Sequence, residues 1–339
     1  MEQKNTFIIN KFISGQEGSK DENLAALKVE LKANGLFFKD YEDVGLLLIY
    51  NDYNKTDKSD WEKECRSLVM NRDTLEMVSY SCSDPICNAD AKHYLLNNDY
   101  SSKQVICQCY EGTLIHVFNH NEEWFYSTRR CLYSGESIWK SEKSHDQMFQ
   151  ESLQKLNITD LTENLSTDHC YSFILMHHEN INVVDYTQKF GENYAKLALA
   201  IVREKSTQNE VNIYDSEKLK SVFPTDLIGD DKIIIPEIFS DMTSLEQENN
   251  KGKIQMPPQN EGLLIKVDNV VLKFQTADFL FGQAVGPNKN PYKGLLKLYQ
   301  TNDLGSYLQK ENFEAYRKIV NPTNSSESFD TKGMVFFDY

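Results

Sequence analysis

The side chains able to do chemistry in this sequence fall into a few close groups. Cys82-x4-Cys87 and Cys107-x-Cys109 bring thiols near one another, and His177 adjoins His178. Thiols and imidazoles are zinc ligands, but zinc sites usually show Cys-x2-Cys or His-x3-His spacing, and these are weak versions of it. Adjacent histidines in an extended strand point to opposite faces, so His177 and His178 are not expected to share an ion. No structural metal is therefore expected. His116, His120, His177 and His178 show no partner pattern for a catalytic triad. The sequence has no Gly-x-Ser-x-Gly, no P-loop and no Gly-x-Gly-x-x-Gly after a strand, which disfavours a protease, a kinase or a dehydrogenase. Residues 287–320 carry six bases (Lys289, Lys293, Lys297, Lys310, Arg317 and Lys318) against three acids (Asp303, Glu311 and Glu314). The ordinary reading of such a run is a solvated helical face; the sharper one is a local phosphate-binding surface.

These groups belong to a chain of 339 residues with 36 basic and 51 acidic side chains, a net charge of −15. So acidic a body repels nucleic acid at long range, and any phosphate must be met by a local basic site. The length suits about two domains, or one large domain with an appendage. Apolar runs such as 46–50 and 233–235 are too short to span a bilayer. The N-terminal residues lack the apolar stretch and cleavage site of a signal peptide. Seven cysteines (Cys65, Cys82, Cys87, Cys107, Cys109, Cys131 and Cys170) are an odd number. Reduced thiols in the cytoplasm are the expectation.

The elements that must position these residues are mostly short strands. Residues 21–34 predict a helix with Leu24, Leu27 and Leu31 on one face and Gly35 as its stop. Strands are predicted at 45–50, 65–71 and 76–80, the last two as a hairpin across 72–75. Residues 103–118 alternate around Gly112, and 123–127 reads as a strand. A helix near 144–156 precedes strands at 171–177, 182–186 and 197–203. Residues 203–258 look irregular, and 262–267 with 270–275 form a hairpin across Asp268-Asn269. Residues 294–319 look helical, 321–333 flexible, and 334–339 is an apolar end able to dock back. Antiparallel strands with a few helices predict an α+β fold.

Three segments in order carry a resemblance. The first is Glu64-Cys65-Arg66-Ser67-Leu68-Val69-Met70. The second is Gln108-Cys109-Tyr110-Glu111-Gly112-Thr113-Leu114, followed by Ser127-Thr128-Arg129-Arg130. The third is Asn260-Glu261-Gly262-Leu263-Leu264-Ile265-Lys266, followed by Leu272-Lys273-Phe274-Gln275. Together they resemble the covalent nucleotidyltransferase superfamily, and within it the RNA ligase 1 family, the tRNA-repair ligase of T-even bacteriophage. Residues 173–186 and Val202-Arg203-Glu204 support the match, which covers about residues 55–320.

The resemblance implies an antiparallel α+β nucleotidyltransferase core, an ATP-grasp-like ligase fold, over 1–285, with a short helical region and tail over 286–339. It implies ATP and Mg²⁺ as ligands and RNA as a partner, with no membrane. In the family, a lysine attacks the α-phosphate of ATP, and AMP then passes to an RNA 5′-phosphate. Such chemistry needs an activated amine and cations that stabilise phosphate charge. Here the nucleophile position is Cys109. Lys103 lies six residues upstream, about 20 Å along a strand. Ile174 replaces a glutamate, and Val271 replaces the first lysine of Lys-x-Lys. Arg66, Glu111, Gly112, Arg129, Glu261, Lys266 and Lys273 are retained. By the resemblance, Glu261 is the metal-side carboxylate, Lys273 contacts the α-phosphate, Arg66 and Arg129 contact phosphate or RNA, and Phe173 either stacks on adenine or fills the core. Arg66, Cys109, Glu111, Arg129, Glu261 and Lys273 should line one cleft, made positive by Arg66, Arg129, Lys266 and Lys273.

The implied function is binding of nucleotide or RNA ends with ligase chemistry impaired. An active divergent ligase using Cys109, activated by Lys273 or Arg129, is one alternative. A viral structural or interaction protein that keeps only the fold is the other. About 60 residues follow the last motif, so the tRNA preference of the family's C-terminal domain is not expected to carry over.

Overall fold

A computed structural model describes residues 7–55, 57–98, 104–138, 141–249, 254–267, 270–286, 290–308, 316 and 319–320. Lys103, Lys289, Lys310, Glu311, Glu314, Arg317, Lys318, the Asp268-Asn269 turn and the segments 321–333 and 334–339 lie outside the described residues. The chain divides into two compact units. The first comprises Met1–Asn182, Tyr186–Asp241 and Gly262–Phe274; the second comprises Val183–Asp185, Met242–Glu261 and Gln275–Tyr339.

Strands are numbered in chain order. β1 (Phe37–Tyr41), β2 (Leu46–Tyr50), β3 (Ser67–Asn71) and β4 (Met77–Tyr80) form an antiparallel sheet in that order. Then come β5 (Ile86–Cys87), β6 (Gln104–Cys109), β7 (Thr113–His120) and β8 (Glu123–Ser127). They are followed by β9 (His169–His177), β10 (Ala195–Glu204), β11 (Ile238–Phe239), β12 (Gly262–Val267) and β13 (Val270–Gln275). A second antiparallel sheet has the order β10-β9-β7-β8. A third has the order β11-β6-β12-β13-β5; its β11–β6 and β6–β12 pairs are antiparallel and β5 runs parallel to β13. The α+β class with antiparallel sheets is the one the sequence predicts.

The first unit is layered because its strands alternate apolar faces. Helix Lys20–Ala33 starts at a capping box between Ser19 and Glu22, which satisfies the first-turn amides. It ends where Gly35 takes φ 75, a left-handed conformation that favours glycine. Its Leu24, Leu27 and Leu31 pack on Leu47, Ile49, Leu68 and Met70 of the first sheet. The opposite face of that sheet, with Leu46, Leu48 and Val69, packs on Phe118, Phe125 and Cys170 of the second sheet. The far face of the second sheet, with Ile115, Val117, Tyr171 and Phe173, packs on Met148, Phe149 and Leu153 of helix His145–Lys155. The order is helix, sheet, sheet, helix. β2 is covered on both faces, which is why its sequence is an unbroken apolar run. The β3–β4 hairpin turns where Asn71 Oδ1 accepts the amides of Asp73 and Thr74.

Two expectations change. Residues 182–186 are irregular rather than a strand, although Val184 and Tyr186 are buried. The predicted helix over 294–319 is interrupted: Pro291–Gln300 ends at Thr301, Asn302 takes φ 61, and a short turn of helix resumes at Leu304–Tyr307. Asparagine tolerates the left-handed region, which the helical pattern alone does not reveal. In the second unit, Phe281, Val285, Leu298 and Tyr307 form a small core of their own. Among the described residues no helix is long and apolar enough to cross a membrane.

Leu48 is fully buried between two sheets. Leu48→Ala should destabilise the protein by about 2–5 kcal/mol in urea melts, whereas Val29→Ala, at 69% exposure, should shift stability by less than about 0.5 kcal/mol. Equal effects would contradict the layered packing.

Candidate functional site

The strand register of the second sheet sets its inner face out in rows. Phe125, Phe118, Cys170 and Arg203 form one row across β8, β7, β9 and β10. Ser127, His116, Ser172 and Ile201 form the next, and Leu114, Ile174 and Ala198 the third. The first row is mostly apolar and packs on the first sheet, while the second carries polar groups out of water. His116 Nδ1 lies 2.8 Å from Ser172 Oγ. Burial, with the nearby Arg66 and Arg203 guanidiniums, lowers the His116 pKa to about 3 from 6.5, so the imidazole is neutral.

Arg203 is buried and fully engaged. Its Nε donates to the Ser81 carbonyl (3.1 Å) and Nη1 to the Gln208 carbonyl (2.9 Å), Nη2 pairs with Glu210 (3.3 Å), and its guanidinium lies 4.9 Å from the Tyr80 ring centre. Glu210 also pairs with Lys266 at 2.6 Å, and Lys266 donates to the Ala200 carbonyl. Burial would raise the Glu210 pKa, but Lys266 and Arg203 hold it below its ordinary value. Lys266, expected from its motif to lend charge to a ligand, is the internal partner of Glu210 in this structure.

A second cationic group gathers where the loops after β2, β4 and β8 meet the start of β3. Asp84 is its centre. Its carboxylate accepts from Asn51 Nδ2 (2.8 Å) and Lys58 Nζ, and lies 3.4 Å from Arg66 Nε. Arg66 Nη1 also reaches Cys82 Sγ at 3.2 Å. Arg129 Nη1 donates to Asn51 O (2.7 Å) and Oδ1 (3.2 Å), and its guanidinium sits 5.3 Å from the Tyr53 ring centre. Burial, then Arg66 and Arg130, push the Arg129 pKa down, against the pull of Asp84 and Tyr53. Arg66 and Arg129, predicted from separate motifs, are thus brought together. Asn51, Tyr53, Lys58 and Asp84 went unpredicted, since in sequence they look like any polar loop.

The segment between β6 and β7 is the third part. These strands do not pair: β6 belongs to the third sheet and β7 to the second, so Tyr110-Glu111-Gly112 crosses between sheets. Gly112 thus lies on a crossing between sheets rather than within one strand. Tyr186 Oη lies 2.7 Å from the Glu111 amide and 3.1 Å from its carbonyl, bonding to both. A Cβ at Gly112 would lie 2.5 Å from the Leu175 carbonyl oxygen and 2.7 Å from Ile174 Cγ2. Gly112 is therefore the residue this approach admits, and it puts Ile174 beside the Glu111-Gly112 pair. Lys189 Nζ donates to Tyr110 Oη at 2.9 Å and sits 4.9 Å from its ring centre.

Cys109 closes β6, opposite Gly262 of β12, and is buried. Lys273 stands on β13 opposite Cys87. β6 and β13 both flank β12, so the two residues lie on strands about 10 Å apart. Glu261 belongs to the second unit; it is buried and accepts from Gln275 Nε2 at 3.0 Å. Phe173 lies wholly inside the core between Phe149 and Phe223, and of its two readings the core one describes its surroundings.

All seven cysteines are thiols. His177 and His178 do not face apart: their rings stack at 4.6 Å, because β9 ends at His177 and the chain turns. They join an ionic group in which Lys143 pairs with Glu151 and Glu179 and His177 lies 3.1 Å from Glu151. Among the described residues no group of three or more His, Cys, Asp or Glu is placed to hold a metal ion.

The antiparallel sheets make up a fold similar to that of ATP-dependent ligases of known structure. Among solved structures, the chain is similar to an archaeal ATP-dependent RNA ligase (form 2), with a TM-score of 0.53 and 11% identity over 94% of this chain and 80% of that one. It is also similar to a putative ATP-dependent DNA ligase from Aquifex aeolicus, with a TM-score of 0.48 and 13% identity over 88% of this chain and 77% of that one. The likeness is one of fold, and it rests on the first of these. No family model and no curated protein matches the chain.

Two outcomes follow from the buried geometry. Between pH 6.5 and about 3 the unfolded chain binds a proton at His116 that the native one refuses. Stability should therefore fall as pH drops below 6.5, by about 1.4 kcal/mol per pH unit from this residue, and be fully present above. His116→Gln should flatten the decline between pH 6 and pH 5 by about 1 kcal/mol in urea melts; parallel declines would rule the buried neutral imidazole out. Gly112→Ala should cost about 1–3 kcal/mol through forced separation of the crossing from β9, and a thermal melt matching the wild type would refute the close approach.

Proposed function

We propose that this chain is a ligase-like nucleotidyltransferase-fold protein, of the RNA ligase 1 type by its motifs, that binds nucleotide or RNA 5′-phosphate groups without efficient joining. The observation that carries the reading is the cationic group around Asp84. Lys58, Arg66 and Arg129 are bound into one network with a single carboxylate. Half-burying several cations against one anion is unfavourable unless further negative charge arrives, and phosphate is the anion that arginine forks suit.

What supports impaired joining is the nucleophile position. Cys109 is buried at the end of β6, and the position beside Gly112 where the family has a carboxylate is the aliphatic Ile174. A covalent nucleophile is worth on the order of 10⁴ or more in rate. The residues present do not fit a resident divalent cation either. Ile174 offers no oxygen, and Glu261 is buried and already accepts from Gln275.

The test has two arms. Filter binding with 5′-phosphorylated RNA should show affinity that weakens as salt rises, as phosphate contacts do. Arg129→Ala should weaken it at least tenfold, and salt-independent binding would favour a scaffold role. Incubation with α-labelled ATP and Mg²⁺ should leave no label on the denatured wild-type protein. Cys109→Lys alone should add little, while Cys109→Lys with Ile174→Glu and Val271→Lys should restore a labelled band. A strong wild-type band would establish an active divergent ligase instead.

A further inference from the structure

Asp84 is an odd residue to find at the centre of a phosphate-binding group. Its backbone amide is tied to the Lys63 carbonyl at 2.9 Å, and Pro85 follows it, which holds it in extended backbone. The side chain is thus delivered into the cations by the segment joining β4 to β5. Its two oxygens divide the donors between them. Oδ2 takes Lys58 and Asn51, and Oδ1 faces Arg66. These donors would serve a pair of phosphate oxygens as well, because carboxylate and phosphate both offer adjacent oxygens to a guanidinium and to the point charge of an ammonium.

Arg129 enters the group through the same asparagine. Asn51 gives its Nδ2 to Asp84 and its two oxygens to Arg129. Removing the Asp84 charge therefore unloads two cations directly and leaves the third anchored in place. The side chain of Asp84 keeps 16% of its surface in water, and those of Lys58 and Arg66 keep 12% and 24%.

We infer that Asp84 is an internal stand-in for a ligand phosphate: it occupies the seat formed by Lys58, Arg66 and Asn51 and must swing out when a phosphate binds. This rests on the phosphate-binding reading above. The residue holds the cations in place while the seat is empty and sets a threshold that weakly charged anions do not pass. Ligands whose phosphate charge exceeds that of one carboxylate, a terminal 5′-phosphate or adjacent phosphates, are the class it admits.

The experiment uses the full chain and inorganic pyrophosphate at low salt, followed by titration calorimetry. Asp84→Asn keeps the shape of the side chain and removes the competing charge. The D84N variant should bind pyrophosphate at least tenfold more tightly than the wild type. If the wild type binds and a folded D84N binds equally or more weakly, Asp84 is structural and this inference falls while phosphate binding stands. If neither binds, both readings fall. Should D84N fail to fold, Lys58→Gln decides: loss of a donor from the seat should weaken pyrophosphate at least fivefold, and unchanged affinity overturns the assignment.

Discussion

The approach of Gly112 to β9 is the constraint on which the site depends. A single added carbon there would lie 2.5 Å from the Leu175 carbonyl oxygen, closer than packed atoms tolerate. That contact lets the chain leave the third sheet at Cys109 and enter the second at Thr113 within three residues. Without it β6 and β7 would need a longer link, and the motif residues on either side would separate. Tyr186 holds the crossing from the other side by bonding both polar groups of the Glu111 backbone. The Glu111 backbone therefore needs no neighbouring strand to satisfy it.

Charge is handled locally throughout the first unit. The chain is acidic as a whole, yet its buried cations are each tied to a named acid or carbonyl. Arg203, Glu210 and Lys266 form a closed triad whose members satisfy one another. The group around Asp84 differs in having more cations than anions. A closed network mainly specifies geometry, whereas an open one holds a potential that a ligand can use. The two lie in the same unit and differ in how far their charges are balanced.

Much of this was legible in the sequence where one local rule sufficed. The turn signal at 72–75 located β3 and β4 as a hairpin, and Ser19 and Ser144 stand at the N-terminal ends of the helices at 20–33 and 145–155. The ordered motifs placed Arg66 and Arg129 in one group although 62 residues intervene. What remained hidden depends on partners distant in sequence. Lys266 carried a family motif, and only Glu210, 56 residues away, reveals that it is spoken for. Asp84 and Asn51 belong to loops, and loop polarity does not announce its partner. Residues 182–186 alternate like a strand because Val184 and Tyr186 are buried, but burial without a pairing edge does not make one. His177 and His178 stack because the strand ends between them, and strand ends are the part of an element that local pattern fixes least.

The division of the chain into units has a consequence for how such a protein can be altered by descent. The second unit is assembled from three separate stretches, Val183–Asp185, Met242–Glu261 and Gln275–Tyr339. Shortening the gene from its 3′ end therefore removes only one of the three and strands the other two inside the first unit's sequence. A unit threaded in this way cannot be exchanged as a cassette, because any one segment that holds all of it also carries residues 186–241 and 262–274 of the first unit.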